Sequence, residues 1–181
     1  MNVASQTDLP FRRATAADFD AVFAIMTEAA LWLQSRGISQ WSFFLTQPGK
    51  DFVRNRILTA ETYLVFDPTD RPVATFTLHW KDEEIWGPRG LDGKAGYIHG
   101  LAVCRCAAGK GLGNILLTMA TNLIAQKSRR LVRLDCMAQN EALCNYYRRA
   151  GFTDLGVADS VITGKSLRLF ERCISASEPQ T

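Results

Sequence analysis

A glycine-rich loop between a predicted strand and a predicted helix carries the clearest chemistry in the sequence. The apolar run 97–103 predicts the strand, and Gly109-Lys110-Gly111-Leu112-Gly113 follows after a short polar break. The first N–H groups of a helix have no partner within the helix and lie at the positive end of its dipole. Glycines let a phosphate approach this backbone, and Lys110 adds a mobile positive charge. The junction therefore predicts an anion site.

The spacing of the glycines does not match the common nucleotide-binding motifs. No Lys-Ser or Lys-Thr pair follows at the spacing of a Walker loop, and Gly113 comes one residue too early for the dinucleotide fingerprint. On this pattern alone, a glycine-rich turn that only starts a helix stays open as an interpretation.

The composition is that of an ordinary globular protein. A length of 181 residues favours one domain, with a core from about 11 to 173 and loose tails at 1–10 and 175–181. The net charge of +3, from 21 basic and 18 acidic residues, is too balanced to indicate nucleic acid or an anionic membrane as a partner. No apolar run approaches the roughly 20 residues that span a bilayer, and the N-terminus lacks the pattern of a signal peptide.

The cysteines show no disulfide framework, because their number is odd and their spacing irregular. We therefore expect reduced thiols in a cytoplasmic protein. The C-x-C pair has no second pair at zinc-site spacing, and only two histidines are present, so we expect no metal site. The residues concerned are Cys104, Cys106, Cys136, Cys144, Cys173, His79 and His99.

Hydrophobic periodicity and turn residues predict the order of the elements. Thr15 and Asp18 form a capping-box pattern at the start of the first helix, which Gly37 ends. The strand–helix–strand unit from 97 to 137 requires a parallel pair within a mostly antiparallel sheet, which is an α+β, mixed fold class. The predicted elements are a strand at 11–14, helices at 15–37 and 51–58, strands at 62–66 and 72–80, a loop at 81–94, a strand at 97–103, a helix from 112 to about 130, a strand at 131–137, a helix at 141–150, and strands at 152–157 and 166–173.

This order, together with two motifs, resembles the GNAT superfamily of N-acetyltransferases. Leu101-Ala102-Val103 followed by Ala108-Gly109-Lys110-Gly111-Leu112-Gly113 is similar to the family's strand and its Arg/Gln-x-x-Gly-x-Gly/Ala pyrophosphate loop. Asn140 with Tyr147-Arg148-Arg149-Ala150-Gly151-Phe152 is similar to the family's Asn…Tyr-x-x-x-Gly-Phe segment. One departure is Ala108, which stands where the family usually has Arg or Gln.

The resemblance implies that acetyl-CoA is the co-substrate. Its pyrophosphate would lie on the backbone amides of residues 109–114, and its pantetheine arm would pair with the backbone of residues 101–103, where the neighbouring strands 97–103 and 131–137 splay apart. Asn140 would reach the pantetheine or the region of the attacking amine. The residues that this implies for cofactor binding are Leu101, Ala102, Val103, Ala108, Gly109, Lys110, Gly111, Leu112, Gly113, Asn114 and Asn140.

The reaction implied is direct attack of a primary amine on the thioester. A backbone N–H near Val103 would stabilise the oxyanion, and Tyr147 is the predicted acid for the leaving thiolate, with a packed core tyrosine as the alternative. His99 is the predicted base, because the intrinsic pKa of imidazole suits the task. Asp135, Glu28 and a water relay stay open as alternatives, and an acetyl-cysteine route through Cys104, Cys106 or Cys136 is disfavoured.

A small-molecule amine is the expected acceptor, bound by Trp32, Trp41 and Glu28. Trp80 and Trp86 would also favour a closed pocket if they line it. A protein or peptide acetyltransferase that modifies an N-terminus or a lysine is one alternative. A non-catalytic acyl-CoA sensor and an unrelated phosphate binder are two others. An edge strand near the C-terminus would allow a homodimer.

Overall fold

The computed structural model of the protein describes residues 9–160 and 164–174, with only the backbone described at Ser160. The predicted tail at 175–181 lies outside these residues, as does most of the predicted tail at 1–10. Within the described residues, the elements follow the predicted order, with one additional short helix in the segment 81–94 that was predicted as a loop. They are β1 (Phe11–Arg13), α1 (Phe19–Ser35), α2 (Gln47–Thr59), β2 (Glu61–Phe66), β3 (Pro72–His79), α3 (Glu83–Trp86), β4 (Ala95–Val103), α4 (Leu112–Gln126), β5 (Leu131–Met137), α5 (Glu141–Arg149), β6 (Thr153–Ser160) and β7 (Lys165–Cys173).

The seven strands form one sheet in the order β1-β2-β3-β4-β5-β7-β6. The parallel register joins Ala95–Ile98 of β4 to Leu131–Leu134 of β5. The β1–β2, β2–β3, β5–β7 and β6–β7 pairs are antiparallel. The α+β fold class, with a parallel crossover in a mostly antiparallel sheet, is thus confirmed.

The chain divides into two compact units. The first comprises the described residues up to Leu78 together with His99–Thr118. Its core packs one face of α1 against α2 and the sheet, because the apolar residues of both helices recur at helical spacing. The residues buried there include Val22, Ile25, Met26, Val53, Ile57, Leu64 and Ala102.

The capping box predicted at the start of α1 is present. The backbone N–H and the hydroxyl of Thr15 both donate to the Asp18 carboxylate, at 2.8 and 2.9 Å. Arg12 adds a bidentate pair to the same carboxylate, at 2.7 and 2.8 Å. A short 3₁₀ turn at Ala16–Asp18 precedes α1, so the helix is fixed at its first turn by local side chains.

The second unit comprises His79–Ile98 and the described residues from Met119 onward. Phe170 of β7 is completely buried in this unit. Trp86, Ala95 and Tyr97 form an apolar cluster, and Leu131 and Leu169 pack against that cluster. Gly96 lies in close contact with α4, since a Cβ at this position would overlap the side chain of Ile124. The buried glycine therefore lets the helix pack closely on β4.

The predicted second helix, 51–58, is present but longer. The sequence also predicts Phe52, Ile57 and Leu58 on its apolar side, which is correct for Ile57 alone. The helix begins at Gln47, because Thr46 accepts a hydrogen bond from the Gly49 N–H at 3.2 Å and Pro48 lies in the first turn. The pair that faces the core is Val53 and Ile57, whereas Phe52 and Leu58 are 44% and 62% exposed.

The segment 81–94 was predicted as a loop and contains two helical turns instead. Asp82 caps the one-turn helix α3 by accepting from the Ile85 N–H, and a 3₁₀ turn at Gly87–Leu91 follows. Burial of Trp86 supplies the packing that the polar composition of this segment concealed. Among residues 9–160 and 164–174, no helix has the length and apolar content needed to cross a membrane.

Candidate functional site

The glycine loop has the backbone that an anion site requires. Gly109 and Gly111 both have φ of +77°, in the left-handed region that glycine adopts without strain. Helix α4 begins directly afterwards at Leu112. A Cβ added at either glycine would meet no atom within 4 Å, so it would stand in the open space above the loop. The loop thus fits a phosphate group that approaches the first N–H groups of α4.

The residues predicted to bind the cofactor lie in the first unit, except Asn140. Ala102 is buried in the core of that unit, so its backbone rather than its side chain is available to a ligand. The strand end is fixed by a 2.8 Å hydrogen bond from the Cys104 N–H to the Val73 carbonyl. Lys110 and Asn114 are exposed, and Leu101, Val103, Ala108, Leu112 and Gly113 are half-buried.

Gly100 is a feature of β4 that the sequence analysis missed. Its φ is +58°, so the strand departs from regular extended backbone directly after His99. A Cβ at Gly100 would come within 3.0 Å of an Arg56 guanidinium nitrogen and 3.5 Å of Met26 Cε. A lone glycine within a strand pattern signals a bulge, and that signal was present in the sequence. The irregular backbone redirects the N–H and C=O groups near the predicted base, the half-buried His99.

Glu28 and Trp32 lie one turn apart on α1 and both contact Arg105. The Glu28 carboxylate accepts a hydrogen bond from the Arg105 backbone N–H at 2.9 Å. The Arg105 guanidinium lies over the Trp32 ring at 4.3 Å, and that of Arg36 lies 5.3 Å from the same ring. These two predicted acceptor-binding residues thus also hold the turn that precedes the glycine loop.

A cavity of about 380 Å³ lies beside Glu28 in the first unit. It is open to solvent, and Glu28 contributes a charged side chain to a lining that comprises Ala21, Ala24, Ile25, Glu28, Pro72 and Cys104. The volume falls within the range of small-molecule sites, about 300–1,000 Å³. A carboxylate accepts up to about four hydrogen bonds, so the bond from Arg105 leaves Glu28 able to pair with an ammonium group.

Trp41, the third predicted acceptor residue, is packed within the first unit. Its ring meets Phe44 edge-on, with centroids 5.8 Å apart and planes at 71°. Its φ of +70° is unusual for a non-glycine residue. Trp41 contacts the α1–α2 core and is half-buried, so a role in binding an acceptor stays a prediction.

Tyr147 is a buried residue of α5, in the second unit. Its ring contacts Phe152 and Phe170, with centroids 6.0 and 5.5 Å apart. Burial raises the pKa of its hydroxyl above the usual value near 10, and the nearby Cys136 and Asp135 add to the increase. The hydroxyl therefore stays protonated at neutral pH, which suits a hydrogen-bond donor.

Asn140 is the N-cap of α5. Its side-chain oxygen accepts from the Leu143 N–H at 3.2 Å, and the residue is buried. A side-chain cap of this kind satisfies one of the N–H groups that a helix start leaves without a partner. The capping role accounts for an asparagine at this position, so its reach to a cofactor stays a prediction.

The cysteines differ from the expectation of reduced thiols. Cys104 and Cys106 form a disulfide across Arg105, whereas Cys136, Cys144 and Cys173 are free. A spacing of two residues can close a disulfide where the chain turns, as it does in the 3₁₀ turn Arg105–Ala107. The disulfide removes part of the basis for predicting a cytoplasmic location.

The structure gives no support to the acetyl-cysteine route. In the disulfide form, neither Cys104 nor Cys106 is a thiolate. Cys136 lies 3.6 Å from Cys144 in the core of the second unit. Burial and the neighbouring Cys144 raise the pKa of the Cys136 thiol, so it is protonated and inert at neutral pH.

A match to a family model identifies the family of this chain. The model of the GNAT acetyltransferase family matches residues 27–152, which include β4, the glycine loop, Asn140 and Tyr147. The chain belongs to the GNAT family. The uncharacterized N-acetyltransferase YesJ of Bacillus subtilis (strain 168) is 32% identical over 164 residues, covering 88% of this chain and 87% of YesJ.

Solved structures of GNAT proteins share the fold of this chain. A GNAT acetyltransferase from Listeria monocytogenes 4b F2365 has a TM-score of 0.76 at 25% identity, covering 92% of this chain and 95% of that one. YncA from Salmonella typhimurium, a putative acetyltransferase solved with its cofactor acetyl-CoA, has a TM-score of 0.63 at 14% identity, covering 96% and 98%. The predicted enzyme class and acetyl-CoA as acetyl donor are confirmed at the level of the family.

Proposed function

We propose that this GNAT protein transfers the acetyl group of acetyl-CoA to the primary amine of a small molecule by direct attack. The observation that carries the proposal is the backbone of β4 and its following loop. Gly100 gives β4 an irregular backbone with a positive φ, and Gly109 and Gly111 form an open loop at the start of α4. The proposal includes one domain, with a core from about 11 to 173.

The glycine loop would hold the cofactor through its backbone. The amides of residues 109–113 and the positive end of the α4 dipole favour a pyrophosphate, and exposed Lys110 adds a charge. The Asn114 N–H, also predicted to contribute, donates to the Gly111 carbonyl at 3.1 Å. Ala108 supplies no side-chain donor, so the amides carry this interaction. Bound acetyl-CoA supplies a thioester acetyl group that an unprotonated amine can take.

Two side chains would act in the reaction, one as the base and the other as a hydrogen-bond donor. An alkylammonium titrates near pH 10, so the acceptor must lose a proton, and His99 is the proposed base. Tyr147 Oη would hold its proton and donate a hydrogen bond to the leaving sulfur, because burial raises the pKa of this hydroxyl. A backbone N–H near Val103 would be the donor to the developing oxyanion.

The acceptor would occupy the cavity beside Glu28. The cavity has the volume of a small-molecule site, and the carboxylate in its lining suits an ammonium group. Nucleic acid and membrane surfaces are not proposed as partners, because the net charge is only +3. A cytoplasmic location and a homodimer stay predictions of the sequence.

The alternative acceptor is a protein. RimL, an α-N-protein acetyltransferase of ribosomal L7/L12, has the same fold with a TM-score of 0.65, at 19% identity. At this identity the likeness concerns the fold alone. Because the cavity beside Glu28 opens to solvent, it admits either a small amine or the end of a peptide, and the experiment below separates the two acceptors.

The experiment is a screen for release of free CoA thiol. Acetyl-CoA is supplied with a panel of small primary amines, and in parallel with peptides that carry a free N-terminus or a lysine. The proposal predicts turnover with small amines and none with peptides. Turnover with peptides alone would establish the protein-directed alternative, and acetyl-CoA binding without turnover on either panel would favour a sensor.

A further inference from the structure

The Cys104–Cys106 disulfide lies between the two segments that the proposed function assigns to the cofactor. These are the end of β4, for the pantetheine arm, and the glycine loop, for the pyrophosphate. Cys104 directly follows Val103, where β4 ends, and Cys106 lies three residues before Gly109. The bond encloses Arg105. Any change in the bond therefore acts on the segment that connects the predicted pantetheine-binding strand to the pyrophosphate loop.

The two sulfur atoms differ in their accessibility. Cys104 is 7% exposed and packs in a small apolar cluster with Val73 and Ala107. Cys106 is exposed. Thiol–disulfide exchange requires access of the attacking thiolate to one sulfur, and the exposed Cys106 provides it. The three free cysteines include the buried pair Cys136 and Cys144, which the solvent does not reach.

Helix α1 holds the residue that the disulfide encloses. Glu28 accepts from the Arg105 N–H at 2.9 Å, and the Arg105 guanidinium lies 4.3 Å from the Trp32 ring. The closed bond restricts the backbone of the turn at Arg105–Ala107, which presents this amide to Glu28. With the bond open, the turn regains backbone freedom that cofactor binding must then remove.

We propose that Cys104 and Cys106 form a thiol–disulfide exchange site that sets the affinity of the adjacent glycine loop for acetyl-CoA. This inference rests on the proposed function, since it concerns regulation of the same site. The disulfide form has the ordered loop and the higher affinity. The dithiol form has the lower affinity.

The exchange partner is a dithiol reductant. Its thiolate attacks Cys106 Sγ, the bond to Cys104 Sγ breaks, and Cys104 leaves as a thiolate that takes up a proton. The second thiol then attacks the reductant sulfur of the mixed disulfide and releases Cys106. The protein disulfide is reduced by two electrons, and the dithiol is oxidised to a cyclic disulfide.

The first measurement counts the reactive thiols. Protein purified without reductant is unfolded and alkylated, and the mass increase is measured. The closed bond predicts three modified cysteines, Cys136, Cys144 and Cys173, and all five after treatment with dithiothreitol. Five modified cysteines without reductant would overturn the proposal, because no bond would exist to exchange.

The second measurement is the Kd of acetyl-CoA by calorimetry, with and without dithiothreitol. Acetyl-CoA has no free thiol and so does not itself take part in the exchange. Ordering of a short turn predicts a Kd about threefold to tenfold higher after reduction. The exposed position of Cys106 makes Cys106→Ser a suitable variant, and it should show the higher Kd under both conditions.

Cys173→Ser is the matched control, since Cys173 is exposed on β7 and has no disulfide partner. It should keep the full response to reductant. Equal Kd values for the oxidised and reduced parent would overturn the exchange proposal and leave the proposed function intact. Absence of acetyl-CoA binding in both states would overturn the proposed function and this inference with it.

Discussion

Glu28 and Arg105 are joined by a hydrogen bond between helix α1 and the turn before the glycine loop, 77 residues apart in sequence. The Glu28 carboxylate accepts from the Arg105 backbone N–H at 2.9 Å. The same carboxylate lines the cavity proposed for the acceptor. Glu28 can therefore act in two ways, by fixing the loop and by binding an ammonium, and its substitutions separate the two.

Glu28→Gln should weaken binding of the amine without weakening binding of acetyl-CoA. Glutamine keeps an oxygen that accepts from the Arg105 N–H but loses the charge that attracts an ammonium. We expect KM for the amine to rise about tenfold, the loss of one charge-assisted contact. The acetyl-CoA Kd from calorimetry should stay within about twofold of the parent, and KM from initial rates completes the comparison.

Glu28→Ala removes both the hydrogen bond to the Arg105 N–H and the charge that attracts the amine. It should therefore raise both the acetyl-CoA Kd and KM for the amine. If Glu28→Gln instead raised the acetyl-CoA Kd and left KM for the amine unchanged, Glu28 would serve the loop alone. The cavity would then lose its assignment to the acceptor.

Tyr147→Phe should lower kcat by about a hundredfold, since removing one hydrogen-bond donor to a developing negative charge costs on the order of 10²–10³ in kcat. The ring still packs on Phe152 and Phe170, so folding and the acetyl-CoA Kd should not change. Tyr146→Phe on the same helix is the control and should retain activity. Because burial raises the pKa of Tyr147, its ionisation should cause no fall in kcat between pH 8 and the usual tyrosine value near 10. An unchanged kcat in Tyr147→Phe would leave the residue a core tyrosine only.

Asp18→Asn should destabilise the protein by about 1 kcal/mol at pH 7, the usual value of a helix cap. The hydrogen bonds from Arg12, followed by those from Thr15, lower the pKa of the Asp18 carboxyl. Its stabilising contribution is therefore complete above the unfolded pKa of about 4 and is lost as the pH falls through the folded value. Urea unfolding measures the free energy of unfolding of parent and variant at pH 7 and at pH 3. The difference between the two proteins should be smaller at pH 3. A difference that does not change with pH would contradict the assignment.

Arg133→Met should destabilise the second unit by about 3 kcal/mol, because it breaks a buried ion-pair network. Arg133 is 4% exposed at its side chain and pairs with Asp92 at 2.9 Å and Glu171 at 2.8 Å. Burial lowers its pKa, but the hydrogen bonds to Glu171, Asp92 and Tyr97 outweigh this and raise it. Thermal and urea unfolding measure the loss.

Arg54→Ala is the control for Arg133. Arg54 pairs with Asp51 at 3.2 Å, both side chains are more than half exposed, and the Arg54 guanidinium lies 4.4 Å from the Phe19 ring. Exposed ion pairs and exposed cation–π contacts each contribute up to about 1 kcal/mol, so this variant should lose less stability than Arg133→Met. Equal losses of unfolding free energy in Arg133→Met and Arg54→Ala would show that burial of Arg133 does not determine how much its ion pairs stabilise the protein.

The order of the elements could be predicted because each element carries its own local signals. Residues 131–137 alternate in a strand pattern, Asn140 caps α5, and glycines follow α1 and α5. The orientation of α2 could not be read in the same way, since Phe52, Val53, Ile57 and Leu58 are all apolar and only packing selects the pair that faces inward.

The candidate site was predictable where it depends on local backbone. The residue types at 109–113 predict the glycine loop. Gly100 lies within an apolar strand run, and that run conceals its positive φ. The contacts from Glu28 and Trp32 to Arg105 could not be predicted, because they join residues more than seventy positions apart. The Cys104–Cys106 bond depends on a tight turn that periodicity does not reveal.

The most direct test of the account is calorimetric titration with acetyl-CoA of the parent, Gly111→Trp and Gly37→Trp. Both glycines have positive φ, +77° and +73°, and open space at the Cβ position, so the two substitutions impose similar backbone strain. Only Gly111 lies in the glycine loop. The account predicts binding by the parent and by Gly37→Trp, with loss of binding in Gly111→Trp while circular dichroism shows all three folded. Undiminished binding by Gly111→Trp would contradict the assignment of the cofactor to the glycine loop.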